Sequence, residues 1–286
     1  MKLLAISDLH VGHRPNREAL AGMPSCPDDW LIIAGDIGEN AEHLRLCLDA
    51  LLPRFSKLIW VPGNHELYTS RRDPCQLRGE DRYRWLVGLC QERGVLTPED
   101  DWPLWPGEGP PTRLAPVFVG YDYSFGPAGL SPQQVVSWAS EAGIRPTDER
   151  LLHPDPYPSR SAWCEARVAL TEARLSAVAP GERLVLINHY PLRADLVRLF
   201  RIPRFTPWCG TRLTEEWHRR FPIDVVVSGH LHMRATDWRD GVRFEEVALG
   251  YPRHWRSEQG IGHYLRQILP RTASPPGGRG GPIWHR

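Results

Sequence analysis

Five short apolar runs in this chain end the same way, in one or two small or turn-forming residues followed by side chains that can hold a metal ion. Residues 3–6 lead into Ser7-Asp8-Leu9-His10, and 31–34 into Gly35-Asp36. Residues 58–61 lead into Pro62-Gly63-Asn64-His65-Glu66, 184–187 into Asn188-His189, and 225–227 into Ser228-Gly229-His230-Leu231-His232. The runs are apolar at nearly every position, the mark of strands covered on both faces. Between the second and third, Ala41, Leu44, Leu48, Leu51 and Leu52 recur at helical spacing, and Pro53 stops that helix. Strand–helix–strand order of this kind predicts a parallel sheet. Ligands beyond the carboxyl ends of its strands match the general site rule for open α/β sheets.

Asp and His two residues apart at a strand end project to one side of the local backbone. Any one such pair is weak evidence, and the conjunction is strong. Asp8, His10, Asp36, Asn64, His189, His230 and His232 offer seven carboxylate, imidazole and amide donors, the set that hard or borderline divalent ions take. With one carboxylate bridging two ions, each ion receives four protein contacts and keeps positions for water and phosphate oxygens.

In this order, Asp-x-His, Gly-Asp, Gly-Asn-His-Glu, a lone His in Asn188-His189-Tyr190-Pro191, and Gly-His-x-His, the blocks resemble the calcineurin-like metallophosphoesterase superfamily over about residues 1–250. The resemblance implies a four-layer αββα sandwich with a dinuclear centre. It implies Asp8, His10 and His232 on the first ion, Asn64, His189 and His230 on the second, and Asp36 between them. His65 would touch the phosphate and assist the leaving group without binding metal. The first block departs from the pattern: many members carry Gly in place of Ser7 and directly after the His, so a small loop shift is expected. The implied reaction is hydrolysis of a phosphate ester by water activated between two divalent ions, Mn, Fe, Zn or Co. Four further residues are placed beside the site, supporting a ligand or lining the substrate rim: Glu66, His13, Arg204 and Trp208.

The remaining sequence bounds the setting. At 286 residues the chain approaches the upper limit of one hydrophobic core. Residues 1–270 read as a single domain with insertions at 67–115, 121–160 and 190–212 that wall the cleft, and 271–286 as a flexible tail. Further strands are predicted at 117–120 and at 261–269, and a hairpin around Asp240-Gly241. Helices are predicted at 81–90, 131–142 (Ser131 as N-cap, Pro132 at the first position) and 161–178, with Thr214 capping another; 143–158 reads as irregular. Tyr68, Trp102, Trp105, Tyr121, Tyr123, Phe125 and Trp208 serve either as stacking platforms or as loop anchors.

A net charge of +1 gives no nucleic-acid or membrane footprint, and no apolar stretch approaches the roughly 20 residues that span a bilayer. Six Cys without a CxxC pair, and no leader pattern before the first strand, suit a reduced cytoplasmic protein. Seven Arg between 190 and 220, against Asp195, Glu215 and Glu216, form either an anion-facing patch or a solvated face. The expected partner is a small phosphorylated molecule, mono- or diester. A nuclease or polynucleotide-end phosphatase on the same chemistry, and a non-enzymatic binding module, are the competing classes; the full ligand set argues against the last.

Overall fold

The computed structural model describes residues 1–71, 73–271 and 281–285. The strands are β1 (Leu3–Ile6), β2 (Cys26–Ile33), β3 (Phe55–Trp60), β4 (Thr112–Pro116), β5 (Arg183–Ile187), β6 (Ile223–Ser228), β7 (Ala235–Arg239), β8 (Val242–Glu246), β9 (Arg266–Leu269) and β10 (Ile283–Trp284). The helices are α1 (Arg14–Ala19), α2 (Ala41–Leu51), α3 (Asn64–Leu67), α4 (Gly79–Gln91), α5 (Pro132–Glu141), α6 (Asp148–Leu151), α7 (Arg160–Ser176) and α8 (Trp217–Arg220). One sheet has the order β3-β2-β1-β9, and the other β10-β7-β8-β6-β5-β4. In the first, β1, β2 and β3 are mutually parallel; in the second, β4, β5, β6 and β8 are.

The alternation of side chains along the strands assigns the layers. Leu3, Ala5, Ile32 and Ile59 from one sheet meet Leu114, Val185, Ile187, Val225 and Val227 from the other in a shared core. The intervening residues Leu4, Ile6, Leu31, Ile33, Leu58 and Trp60 face outward and are covered by α2 (Leu44, Leu48, Leu51) and α4 (Tyr83, Leu86, Cys90). Ala115, Leu184, Leu186 and Val226 face the other way, onto Cys164, Val168 and Leu175 of α7. The result is the expected four-layer αββα sandwich.

Most predicted elements appear within a few residues, and the departures have local causes. The strand expected at 117–120 begins earlier, at Thr112, and the ladder stops at Pro116. Beyond it the Asn188 side chain stands in for a strand partner, its Oδ1 accepting from Val119 N and its Nδ2 donating to Val119 O, both at 3.0 Å. Within 143–158, read as irregular, α6 forms. Thr214 does not cap the helix after it: α8 starts at Trp217 behind Glu216 with no side-chain cap. Thr214 ends a 3-10 turn (Arg212–Thr214) that Thr211 caps by accepting from Leu213 N at 3.1 Å, and the buried Thr214 hydroxyl donates to Leu192 O. Residues 261–264 form a 3-10 turn, which leaves β9 shorter than expected. The hairpin at Asp240-Gly241 forms as predicted, with both turn residues at positive φ (52° and 82°), as a two-residue turn of the favoured hand requires. Of the tail expected from 271, residues 283–284 instead pair with Ala235 and Thr236 of β7; residues 272–280 and 286 lie outside the described residues. No helix among the described residues is long and apolar enough to cross a membrane.

Candidate metal centre

The carboxyl ends of β1, β2, β3, β5 and β6 come together at one end of the sandwich, and the loops leaving them are tied to one another. Asp8 N donates to Gly35 O (2.9 Å), His10 N to Asp36 O (3.0 Å), Gly229 N to His189 O (2.9 Å) and Gly250 N to Asp8 O (3.0 Å). Asp8, His10, Asp36, His230 and His232 all hold positive φ, between 42° and 72°. This conformation is uncommon for non-glycine residues and is concentrated here at functional positions. Two glycines are there because nothing larger fits. A Cβ on Gly63 would sit 2.1 Å from Asp36 Oδ1, and one on Gly229 would sit 2.4 Å from Asp8 Oδ2.

Three sets of donor atoms converge: Asp8, His10 and His232; His10, Asp36 and His65; Asp36, His189 and His230. His10 Nε2 and His232 Nε2 face each other at 3.2 Å, and so do His189 Nε2 and His230 Nδ1. His232 Nε2 is 3.0 Å from Asp8 Oδ1, and His189 Nε2 is 3.5 Å from Asp36 Oδ2. His189 Nδ1 donates to Ala34 O at 2.8 Å, which leaves its Nε2 lone pair turned inward. Such an outer bond to an imidazole is the usual way a ligating tautomer is set. Asn64 is almost wholly buried; its Nδ2 donates to Tyr68 Oη (2.8 Å) and Asp148 Oδ1 (3.1 Å), while its Oδ1 has no hydrogen-bond partner. An unpartnered buried amide oxygen, facing nitrogen pairs and two buried carboxylates fit divalent cations and little else.

The electrostatics agree. Burial opposes ionisation of Asp36, but His189 and His65 outweigh it and hold that carboxyl well below its ordinary range. Burial alone would depress His189, yet Asp36 raises it to about 10; the same balance lifts His65 to about 9. His10 and His230, where burial dominates, fall to about 3. Without ions, the positive charge that the two carboxylates require resides as protons on two imidazoles.

Glu66 has a backbone role. It is buried and accepts from Asp36 N (3.0 Å), Ile37 N (2.6 Å) and Gly63 N (2.9 Å), clamping the second ligand loop to the third and capping α3. It does not orient an imidazole. At Ser7 the departure noted above is accommodated: the hydroxyl donates to Asp8 Oδ2 at 2.6 Å.

A cavity of about 480 Å³ opens on this centre, lined by Asp36, Asn64, His65, His230, His232, Tyr68, Thr147, Asp148, Leu199, Arg201, Ile202, Phe205, Tyr251, Arg253 and His254 among others. Each of the three insertions contributes a wall. Three of the expected rim residues do not line it. Arg204 is bound to Glu141 (3.0 Å) and lies over Trp138, joining the 3-10 segment Pro203–Trp208 to α5. Trp208 is fully buried, and its indole N–H donates to Glu149 (2.8 Å). His13 is exposed, edge-on to Tyr251 at 5.4 Å between centroids. Of the seven aromatics weighed as platforms only Tyr68 reaches the cavity, and the other six are buried anchors. Six of the seven Arg between 190 and 220 are bound to carboxylates, so the basic patch dissolves except for Arg201.

The sequence reading missed residues that support the ligands. His254 Nδ1 lies 3.0 Å from His232 Nδ1. Tyr251 stacks on His10, with centroids 4.4 Å apart and planes at 26°. Both follow Val247-Ala248-Leu249-Gly250, an apolar run closed by Gly as at Gly35, Gly63 and Gly229, so that signal was present. Asp148 carried none, because Thr147-Asp148-Glu149-Arg150 looks like any charged helix start.

The pattern of the calcineurin-like phosphoesterases matches residues 1–234. The [acyl-carrier-protein] phosphodiesterase PptH of Mycobacterium tuberculosis is 49% identical over 277 residues, covering 96% of this chain and 85% of that protein. The crystal structure of that organism's phosphopantetheinyl hydrolase (PptH) superposes with a TM-score of 0.90 at 49% identity, covering 96% of this chain and 98% of the other. The relative's name puts its scissile phosphodiester on a protein, which overturns the expectation of a small free phosphorylated molecule as partner; ester chemistry alone does not reveal what the ester is attached to. This chain belongs to the calcineurin-like phosphoesterase family, and is a metal-dependent phosphoesterase whose Asp and His clusters form a centre for two divalent ions.

Proposed function

We propose that this protein cleaves the phosphodiester joining a phosphopantetheine group to a serine of a carrier protein, releasing the carrier hydroxyl and phosphopantetheine. The observation carrying this reading is the 49% identity to PptH across 96% of the chain, with a TM-score of 0.90. We assign Asp8, His10 and His232 to one ion, Asn64, His189 and His230 to the other, and Asp36 to both, in keeping with the convergent donor sets and the unpartnered Asn64 Oδ1. When bound, two such ions supply an activated water and neutralise charge on the phosphoryl oxygens.

The chain's own residues position and protonate. His65 is the one imidazole of the convergent donor sets outside this ligand assignment; its side chain is 14% exposed and its Nε2 is 3.8 Å from Asp36 Oδ2. We assign it delivery of a proton to the departing serine oxygen. Glu66 fixes the backbone of Asp36, and Asp148 with Tyr68 fixes the amide of Asn64. Residues 1–270 act as one catalytic domain, since β9 pairs with β1. The donor set has nitrogen and oxygen but no thiolate, and we take manganese as the first ion to test. Six unpaired cysteines suit a reducing cytoplasm.

The test is to incubate the protein and Mn(II) with a holo carrier protein and follow both products by mass spectrometry. Loss of the phosphopantetheinyl mass from the carrier is the expected result; an unchanged carrier alongside rapid hydrolysis of a simple phosphomonoester would make the protein a phosphatase instead.

A further inference from the structure

The segment just before the 3-10 turn Pro203–Trp208 is unusual for a surface loop. Phe200 is 82% exposed and Ile202 42% exposed, and Leu199 and Ile202 line the metal cavity. Between them Arg201, also at the cavity and exposed, is the one Arg of its neighbourhood with no carboxylate partner among the described residues. Arg253, which also lines the cavity, is exposed too, lying over Tyr251 at 5.2 Å. Phe205 anchors this lip to the centre by stacking on His230, with centroids 5.9 Å apart. Everywhere else in the 190–220 region the chain satisfies its guanidinium groups internally. Here it leaves one unsatisfied, beside an aromatic ring that gains nothing from the fold.

Physical reach says what must touch this lip. A serine side chain is only about 2.4 Å from Cα to Oγ, two covalent bonds of ordinary length. For its phosphodiester to arrive at a buried pair of ions, the backbone carrying that serine must itself come down to the cavity mouth. The lip is then a protein–protein contact by necessity. An exposed aromatic with adjacent Arg is the residue pairing that most often anchors such contacts.

We infer that Leu199–Ile202, together with Arg253 of the same cavity, is the docking surface for the carrier protein, Phe200 entering an apolar dimple beside the modified serine and Arg201 meeting carboxylates around it. This rests on the carrier reading above and adds where the carrier sits and what its surface must carry. Binding is steered by the two cations and weakens as salt rises.

Phe200 touches neither the ligands nor the cavity, so Phe200→Ser leaves folding and the centre intact, which an unchanged melting temperature and metal content verify. Wild type and variant are compared on a holo carrier protein and on bis-p-nitrophenyl phosphate. The expected result is a loss of about tenfold or more in kcat/KM for the carrier, carried by KM, with the small diester unaffected. Arg201→Glu should lower carrier turnover further and abolish its salt dependence. Equal carrier turnover by wild type and Phe200→Ser overturns the docking assignment while the carrier reading stands. A wild-type protein that cleaves the small diester and never the carrier overturns both. Self-association of the wild type that Phe200→Ser abolishes would give the lip to a second copy of this chain, and likewise overturns the proposal.

Discussion

Asp148 accepts a hydrogen bond from the Asn64 amide nitrogen at 3.1 Å and another from the Tyr68 hydroxyl at 2.6 Å. This decides which end of the amide faces the ions. An Asn free to flip would offer N–H₂, which repels a cation, about as readily as its carbonyl oxygen. Asp148→Ala should therefore lower metal affinity and kcat by about 10- to 100-fold, the usual effect of losing a group that orients a ligand. Titration with Mn(II) against activity checks it, and Tyr68→Phe, which keeps Asp148, should lose less.

Asp36 has the harder position, because three imidazoles approach its Oδ2. Asp36→Ala should leave no more than one ion per chain by elemental analysis and reduce kcat by at least about 10³-fold. Asp36→Asn, similar in shape but uncharged, should do nearly as badly. Turnover close to wild type in either variant would remove the bridging assignment.

Glu66→Ala tests stability before chemistry. It strips three buried backbone N–H groups of their acceptor, each costing about 1–3 kcal/mol when left unsatisfied. A fall of several kcal/mol in unfolding free energy is expected, with metal loss following because Asp36 is no longer held. Chemical denaturation of the metal-free protein separates the two effects.

Removing the ions should destabilise the fold through the same residues. Two buried carboxylates and two raised imidazoles lie within one small volume. Ions bound only by the folded chain contribute about 2.7 kcal/mol for each site filled at 100 times its Kd. Chelation should lower the melting temperature by several degrees, and Mn(II) should restore it. Arg204→Ala provides the contrast: its partners are Glu141 and Trp138, so a small change in stability and an unchanged kcat are expected.

The strand ends were the most readable part of the sequence. A fully apolar run, a small residue and a metal-binding side chain is a local signal, and all seven donors it flagged stand at one edge of the sandwich. Rim residues were read poorly because rim membership is a tertiary property. Arg204, Trp208 and His13 have side chains suited to a substrate wall, but distant Glu141 and Glu149 claim the first two. Arg201 looked like its neighbours until six of them proved to be paired. Tyr251 and His254 were the avoidable omission, since Gly250 closes an apolar run as Gly35 does.

The three insertions that wall the cavity enter and leave the sandwich at points where the donors are already pinned by Glu66, Asp148 and the inter-loop backbone bonds. Wall and floor can thus vary separately. If the lip around Phe200 docks the substrate as proposed, exchanging it for a differently shaped segment would change what the enzyme accepts while leaving its hydrolytic apparatus assembled, which makes this scaffold a natural starting point for directed evolution of specificity.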